Sequence, residues 1–213
     1  MIDVLEQAVS DLDDLGCELQ EDEPDLKDAE EIFLRLRAAG FVGPYAQALE
    51  DSPHLVKDTV RWNTEVGLNL NLADIAQTEA QRVELYERTL KFFDNYDFLV
   101  LPTAQLPPFP VEWDWVRKIN NTRFDNYLQW MQICCAITLT TLPAISVPAG
   151  FTPDGLPVGI QIVGKPQADL ELLQFARAFE SIDQHAQQHP QLQSDRLSHE
   201  APPDPFVVSP RFM

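Results

Sequence analysis

Apolar residues recur at helical spacing through the amino-terminal half of the chain, where the first run extends from Ile2 to Leu15. Steps of three and four residues place such positions on one face of a helix. Gly16 and Gly40 follow the first two runs, and glycine commonly ends a helix. The stretch Cys17–Glu23 alternates loosely, which predicts a strand. The pattern predicts helices over 2–15, 27–39, 44–49, 54–66 and 72–93.

The carboxyl-terminal half contains runs typical of β-strands. Phe98–Leu101 is a short apolar run that ends at Pro102, and it predicts a strand buried on both faces. Ala144–Val147 and Val158–Val163 are similar runs, separated by the turn sequence Thr152–Gly155. That turn combines the fixed φ of proline with the freedom of glycine at positive φ. A hairpin is therefore predicted.

Three further features accompany these strands. Gly159 lies inside the last strand, which predicts either a close backbone approach or a bulge. Helices are predicted over 126–139 and from Asp169 onward. The segment Thr103–Arg123 is rich in proline and tryptophan and too irregular for regular structure. A loop of this length within a domain is usually functional or disordered, and its aromatic residues argue against disorder.

Composition excludes several classes of function. The 213 residues carry a formal net charge of −19, which repels nucleic-acid phosphates and anionic lipids. No apolar stretch approaches the roughly eighteen residues that a membrane span needs. Met1–Ser10 has acidic residues but no basic cluster, so it predicts no signal peptide. The three cysteines form no evident disulfide framework, and we expect a cytoplasmic protein without nucleic-acid or membrane partners.

Candidates for nucleophilic catalysis are weak. A catalytic serine normally lies in a glycine-lined turn, yet no serine is next to any of the eight glycines. Ser146 lies in a predicted strand, where a neighbouring group is expected to satisfy its hydroxyl. Lys165 is expected to be solvated, and Cys134 and Cys135 have apolar neighbours and no nearby histidine. No residue therefore has the surroundings of a nucleophile beside a base.

Other chemistries have little support in the sequence. His185 and His189 are four residues apart, but Pro190 follows and no third ligand is evident, so no metal site is expected. Glu112 and Asp114 alternate with tryptophans, which is compatible with a saccharide-binding loop. The same alternation also suits a strand with one packed face and one wet face.

Three stretches resemble the amidase signature family, whose members cleave carboxamide C–N bonds. They are Tyr96–Thr103, Tyr127–Met131 and, most specifically, Leu142–Gly164. Over about 4–180 the chain is similar to the carboxyl-terminal part of a bacterial amidase and to the A subunits of glutamyl-tRNA amidotransferases. The resemblance implies an α/β fold, with a mixed sheet flanked by helices, of which this chain holds the distal part without the central strands.

The same resemblance implies acyl transfer to a serine, with no metal or organic cofactor. The catalytic lysine and two serines of the family lie upstream of the matched region, so no catalytic residue is carried over. The resemblance also implies that the loop after Thr103 and the following helix shape a substrate pocket. The pocket candidates are Thr103, Trp113, Tyr127, Trp130 and Met131. The alternative is that these aromatic residues only cover the core.

One departure lies inside the matched region. Thr138 and Thr141 occupy positions where the family commonly has asparagine and glycine, which puts close backbone packing there in doubt.

An incomplete amidase has structural consequences. Phe98–Leu101 and Val158–Val163 are expected to present unpaired edges where the central strands are missing. Residues 1–181 are predicted to form the amidase part, and 182–213 a polar, poorly ordered tail. The expected function is carboxamide hydrolysis by an intact assembly, in which this chain alone is inactive.

Three interpretations of such a chain remain open. It is a truncated or frameshifted remnant, one half of a split amidase, or a binding module without catalysis. The expected partners are a small amide substrate and, for the split enzyme, a separate amino-terminal amidase piece.

Overall fold

The computed structural model describes residues 1–183 and 185–190, and most of the predicted tail lies outside them. The chain divides into two units. The sheet unit contains Met1–Glu23, Tyr96–Cys134 and the residues from Leu142 onward, and the helical unit contains Pro24–Asn95 and Cys135–Thr141. The grouping of residues 1–181 into one amidase part stays a prediction.

The described elements follow in chain order. The helices are α1 Ile2–Asp14, α2 Ala29–Asp51, α3 Asp58–Leu68, α4 Leu72–Phe92, α5 Gln132–Thr140 and α6 Asp169–Asp183. The strands are β1 Phe98–Pro102, β2 Lys118–Ile119, β3 Thr122–Arg123, β4 Ala144–Phe151 and β5 Pro157–Gly164. Short 3-10 turns cover Pro53–Leu55, Gln129–Met131 and His185–Gln187.

A three-stranded antiparallel sheet in the order β1-β5-β4 forms the centre of the sheet unit. The predicted hairpin is confirmed, with β4 paired to β5 from Ala144↔Val163 to Phe151↔Pro157. β4 continues beyond its predicted end at Val147 because a bulge between Pro148 and Gly150 accommodates the proline in an outer strand.

The expectation that the Val158–Val163 run presents an unpaired edge is wrong, because β5 is bonded on both sides. The outer strands of the described sheet are β1 and β4. The burial predicted for the Phe98–Leu101 run is only partly present, since Leu99 is buried while Phe98 and Val100 are half-buried. An outer strand has fewer neighbours to cover its side chains.

Helices α1 and α6 cover this sheet. Their buried positions include Leu5, Leu12 and Phe179, which pack with Ile160 and Ile162 of β5. Burying a side chain of this size contributes roughly 1.5 to 3 kcal/mol. These contacts therefore stabilise the position of β5 in the sheet.

Helix α2 does not end at Gly40 as predicted, but continues through Gly43 and Pro44 to Asp51. A Cβ on Gly67 of α3 would clash with the Ala38 carbonyl and with Val42 of α2. Close packing against α3 thus stabilises α2 beyond its helix-breaking residues, which propensity alone does not anticipate.

Two other predictions for the helical unit have different outcomes. The prediction for 72–93 is confirmed by α4, whose start is fixed by a capping box between Asn71 and Asp74. The predicted helix over 54–66 is replaced by a 3-10 turn at Pro53–Leu55 and by α3.

In the sheet unit, the predicted strand over Cys17–Glu23 is wrong, since this segment forms no ladder. It is held instead by the Tyr96 hydroxyl, which donates a 2.6 Å hydrogen bond to Asp22. This bond lowers the pKa of the Asp22 carboxyl and raises the pKa of the Tyr96 hydroxyl. The helix predicted over 126–139 begins as the turn Gln129–Met131 and continues as α5.

Thr141, one of the two positions that depart from the amidase signature pattern, has an unusual backbone conformation. Thr141 has φ of 54°, in the left-handed region that favours glycine, and its side chain is exposed. The expected problem of close packing is therefore absent at Thr141, and the position is special because of its φ angle.

Candidate functional site

The carboxyl end of β1 is fixed by hydrogen bonds from other parts of the sheet unit. The Thr103 backbone N–H donates to the Gly159 carbonyl at 3.0 Å. The buried Gln161 side chain donates to the Pro102 carbonyl at 3.1 Å. The Cys134 thiol donates to the Thr103 carbonyl, with an Sγ–O distance of 3.0 Å. The backbone at Thr103 is therefore held from both sides.

Gly159 allows two hydroxyl groups to meet beside this strand end. The Thr103 Oγ1 and Ser146 Oγ atoms are 2.7 Å apart and share a hydrogen bond. A Cβ on Gly159 would lie 3.0 Å from Thr103 Oγ1 and 3.1 Å from the Val147 carbonyl oxygen. The predicted close approach at Gly159 is confirmed, as is the expectation that a neighbour satisfies the Ser146 hydroxyl.

The loop that follows Thr103 has a small apolar core of its own. Leu106, Val116 and Ile119 are buried at its centre, and β2 pairs with β3 at its end. Aromatic rings surround this core. The loop is thus an ordered structure, in agreement with the argument from its aromatic content. The prediction that Thr103–Arg123 contains no regular structure is wrong at its end, where β2 and β3 pair.

Ring contacts connect the loop to the turn before α5. The Phe109 ring meets the Trp130 ring edge to face at 5.2 Å between centroids, and it stacks on Trp113 at 6.1 Å. Such pairs contribute roughly 0.5 to 1.5 kcal/mol beyond area burial. Trp115 lies instead under the Arg117 guanidinium, 4.0 Å from its ring centroid.

A cavity of about 400 Å³ lies between the strand end and the aromatic loop. Its lining comprises Met1, Trp130, Thr103–Ala104, Leu106–Phe109 and Pro157–Gly159. These residues include no ionisable side chain. The volume falls in the range of small-molecule sites, which are mostly apolar with a few polar groups.

The structure places the five pocket candidates differently. Thr103 and Trp130 line the cavity, whereas Trp113 lies behind Phe109, on which it stacks. Tyr127 and Met131 are half-buried and are not part of the lining. Whether these residues bind a substrate stays a prediction.

Sequence reasoning misses the contribution of Pro157–Gly159 and of Phe109 to the cavity. A signal for the first is present, because the sequence marks Gly159 as a point of close approach. What the sequence lacks is the strand pairing that brings Gly159 beside Thr103.

The structure also shows which groups surround the other residues that were considered for catalysis or binding. Lys165 forms an ion pair with Asp97 at 2.9 Å. Burial raises the pKa of the Cys134 thiol, which opposes formation of a thiolate. Asp114 pairs with Arg117 at 3.2 Å, and the Glu112–Trp115 segment forms turns, not a strand.

Two kinds of site are absent from residues 1–183 and 185–190. They contain no group of three or more histidine, cysteine or acidic side chains placed to hold a metal ion. No helix in this part of the chain is both long and apolar enough to cross a membrane.

Comparison with known proteins shows to which family this chain belongs. The family model described as Amidase matches residues 3–173, well over half of the chain. The chain belongs to the amidase family. A bacterial aryl acylamidase of the amidase signature enzymes has a similar structure, with a TM-score of 0.76 at 22% identity. That likeness covers 87% of this chain and 40% of the other, so the α/β fold is part of an amidase-signature fold.

Curated relatives agree with this assignment. An acylamidase of Rhodococcus erythropolis is 27% identical over 188 residues, which cover 86% of this chain and 39% of the relative. The A subunit of the glutamyl-tRNA(Gln) amidotransferase of Symbiobacterium thermophilum is 42% identical over 102 residues. That match covers 47% of this chain and 19% of the relative. The chain thus spans less than half the length of these two relatives.

Proposed function

We propose that this chain forms one wall of an amide-hydrolysing site, and that residues outside these 213 supply the nucleophile. The cavity beside Thr103 carries this proposal, because its volume and its mostly apolar lining are typical of small-molecule sites. Membership of the amidase family supports hydrolysis of a carboxamide as the reaction of the complete site.

Two of the described serines, Ser146 and Ser181, support a non-catalytic role for this chain alone. A serine nucleophile needs a base beside it. The Ser146 hydroxyl shares its hydrogen bond with Thr103, which is not a base, and the Ser181 hydroxyl donates to the Ala178 carbonyl. Neither arrangement activates an oxygen for attack on a carbonyl.

The proposed reaction follows the chemistry of the family. A serine oxygen from the complementary segment attacks the amide carbon, and the amine leaves with a proton. Water then cleaves the acyl ester to release the acid and regenerate the serine. The wall described here orients the acyl or amine group of the substrate and excludes water, which lowers the entropic part of the barrier.

The proposal also specifies the partners of this chain and its cellular compartment. The proposed partners are a small-molecule amide and an amino-terminal amidase segment, either in the same polypeptide or in a separate one. A net charge of −19 disfavours nucleic acid and anionic membranes. The acidic composition and the free thiols of Cys17, Cys134 and Cys135 support the cytoplasm as the compartment.

A chimera tests this proposal. Residues 3–173 would replace the aligned portion of the Rhodococcus acylamidase, and hydrolysis of an aryl amide would be followed by absorbance. We expect turnover by the chimera and none by the purified 213-residue chain. Gly159→Val in the chimera should abolish turnover, because the added side chain closes the approach to Thr103. Gly164→Ala, whose Cβ would have ordinary contacts at 3.7 Å or more, should leave it unchanged.

Activity of the chain alone would contradict the proposal, provided that Ser146→Ala removes that activity. A serine-directed fluorophosphonate probe gives a second test. It should label the chimera but not the isolated chain.

The cavity also supports a second candidate function, a binding module without catalysis. Its lining comes entirely from the sheet unit. Ligand binding by the isolated chain together with an inactive, folded chimera would favour this alternative.

A further inference from the structure

The two outer strands of the described sheet differ in how their open edges are protected. Natural edge strands are commonly blunted by proline, bulges or charged side chains, because unpaired backbone groups attract other strands. β4 has Pro148 inside the strand and a bulge between Pro148 and Gly150. β1 carries no charge and no bulge, and its only proline, Pro102, is its last residue. The β1 edge is therefore the less protected of the two.

The hydrogen bonds of β1 show which backbone groups lie on that edge. The Thr103 N–H donates to a carbonyl of β5. Because bonded and non-bonded pairs alternate along an antiparallel ladder, Leu99 and Leu101 also bond to β5. Phe98 and Val100 then point their N–H and carbonyl groups away from it. No other strand of the described residues pairs with β1, so these groups are available to a further strand.

The side chains of β1 restrict the chemistry of that further strand. Phe98 and Val100 pack with the apolar core that α1 and α6 cover. Leu99 lies on the opposite face and is also buried. A strand beside β1 would therefore have apolar neighbours on both faces, and cross-strand packing favours β-branched or aromatic residues at successive positions. A charged or strongly polar strand does not fit.

The partner is identified by the part of the fold that this chain does not contain. The matched residues make up 39% of the Rhodococcus acylamidase and 40% of the solved aryl acylamidase chain, so the complete fold has further segments. Neighbouring strands lie about 4.8 Å apart. A strand beside β1 would thus have one end next to Thr103, which lines the cavity. The proposed function requires an external nucleophile at this place.

We infer that the open edge of β1 is the docking surface for the complementary amidase segment, which adds an apolar strand to the backbone of Phe98 and Val100. This inference rests on the proposed function in taking that segment as the partner. It adds the edge at which the segment joins and the kind of strand that joins. It also explains how a nucleophile from outside this chain reaches the cavity beside Thr103.

Hydrogen exchange, followed by mass spectrometry with fragmentation to single residues, tests the edge. The isolated chain is compared with the acylamidase chimera. In the isolated chain the amides of Leu99 and Leu101 should exchange slowly, and those of Phe98 and Val100 quickly. In the chimera both fast amides should slow by at least about a hundredfold, because they gain acceptors. Unchanged rates in a folded chimera would overturn the inference.

Strand β4 provides the matched control for exchange. The Gly164 N–H donates to the Pro143 carbonyl, so the same alternation points the N–H groups of Ala144 and Ser146 away from β5. The exchange rates of these two amides should agree within about threefold between the isolated chain and the chimera. Slowing at Ala144 and Ser146 without slowing at Val100 would place the added strand at β4 and overturn the inference.

Substitution by proline removes one outward N–H from each outer strand. Val100→Pro and Ala144→Pro keep the hydrogen bonds to β5, because the lost N–H points away from it. We compare the drop in melting temperature caused by Val100→Pro with that caused by Ala144→Pro. The ratio of the two should be at least about twofold higher in the chimera, where only the Val100 N–H gains an acceptor. An equal ratio in both proteins would contradict the inference.

The isolated chain keeps the test valid if the chimera fails to fold. Slow exchange at Phe98 and Val100 in a monomeric chain would show that another part of this chain already covers the edge, and it would overturn the inference. Slow exchange that appears only at high protein concentration would assign the edge to a second copy and would also overturn it. Fast exchange at low and high concentration supports the inference.

Failure here is distinguishable from failure of the proposed function. The function is measured as turnover, and the docking edge as protection of two amides. An active chimera whose Phe98 and Val100 amides still exchange quickly would refute only the inference about β1. An inactive, folded chimera in which both amides are protected would refute only the proposed function.

Discussion

The two walls of the cavity are held by different forces. The hairpin wall, formed by Thr103 and Pro157–Gly159, depends on short hydrogen bonds and on the absence of a side chain at Gly159. The aromatic wall, formed by Leu106–Phe109 and Trp130, depends on ring packing over a small apolar core. The first wall should be intolerant of added atoms, while the second should lose stability in proportion to the apolar surface removed.

The largest expected effect is on the hairpin wall. Gly159→Ala should lower the free energy of unfolding by about 2 to 3 kcal/mol, because the new Cβ overpacks against Thr103 Oγ1 and the Val147 carbonyl. Gly164→Ala in the same strand is the matched control, since its Cβ would have ordinary contacts at 3.7 Å or more. Chemical denaturation measures both variants. Equal losses would show that the close approach at Gly159 has no special role.

The aromatic wall should respond more gradually. Phe109→Ala removes a half-buried ring with two ring contacts, and about 1.5 to 2 kcal/mol of unfolding free energy should be lost. Phe109→Leu keeps most of the apolar volume and should lose less than about half of that amount. Thermal unfolding followed by near-ultraviolet circular dichroism reports on both. A leucine variant as unstable as the alanine variant would show that ring geometry, not apolar area, stabilises this wall.

A smaller effect concerns the thiol that holds Thr103. Cys134→Val removes the donor to the Thr103 carbonyl, and about 1 kcal/mol should be lost. Cys134→Ser keeps a donor and should remain within about 0.5 kcal/mol of wild type in urea denaturation. If serine and valine were equally destabilising, packing of the sulfur would explain the effect.

The smallest effect is expected at the exposed bond between Tyr96 and Asp22. The lowered pKa of Asp22 means that its contribution is present above its unfolded pKa and is lost as the pH falls through its folded pKa. The raised pKa of Tyr96 means that its contribution is present below its unfolded pKa and is lost as the pH rises through its folded pKa. Tyr96→Phe should therefore lower the melting temperature slightly near neutral pH.

The pH extremes provide the control for this substitution. The difference between the wild type and the Tyr96→Phe variant should shrink as the pH falls below the usual range of an aspartate or rises above that of a tyrosine, since one partner of the bond then changes its protonation state. Tyr45→Phe, at an exposed tyrosine outside the sheet unit, should have no such pH dependence. A constant difference at every pH would mean that the hydroxyl acts by packing alone.

The hairpin wall can be predicted largely from sequence, because its signals are local. Short apolar runs, the turn at Thr152–Gly155 and the interruption at Gly159 each restrict the backbone directly. The pairing of β1 with β5 is not local. The cavity depends on that pairing, so the joint lining by Thr103 and Gly159 is not predictable in the same way.

In the helical unit, by contrast, local sequence signals give the wrong prediction for helix α2. Gly40 and Pro44 are strong local signals for helix ends, yet the helix continues past both. Packing of Ala38 and Val42 against Gly67 outweighs these propensities. Local sequence rules fail here because the decisive contact joins residues that are distant along the chain.

The positive φ of Thr141 determines how much stability is lost when threonine replaces glycine at this position. An L-amino acid in the left-handed region costs about 1 to 2 kcal/mol, and glycine would remove that cost. Glycine would also give the unfolded chain more freedom, at a cost of about 0.5 to 1 kcal/mol. The second term offsets about half of the first, so threonine here has a net cost of roughly 0.5 to 1 kcal/mol relative to glycine. That cost is small beside the roughly 5 to 15 kcal/mol by which domains are usually stable, so a folded lineage can carry the threonine.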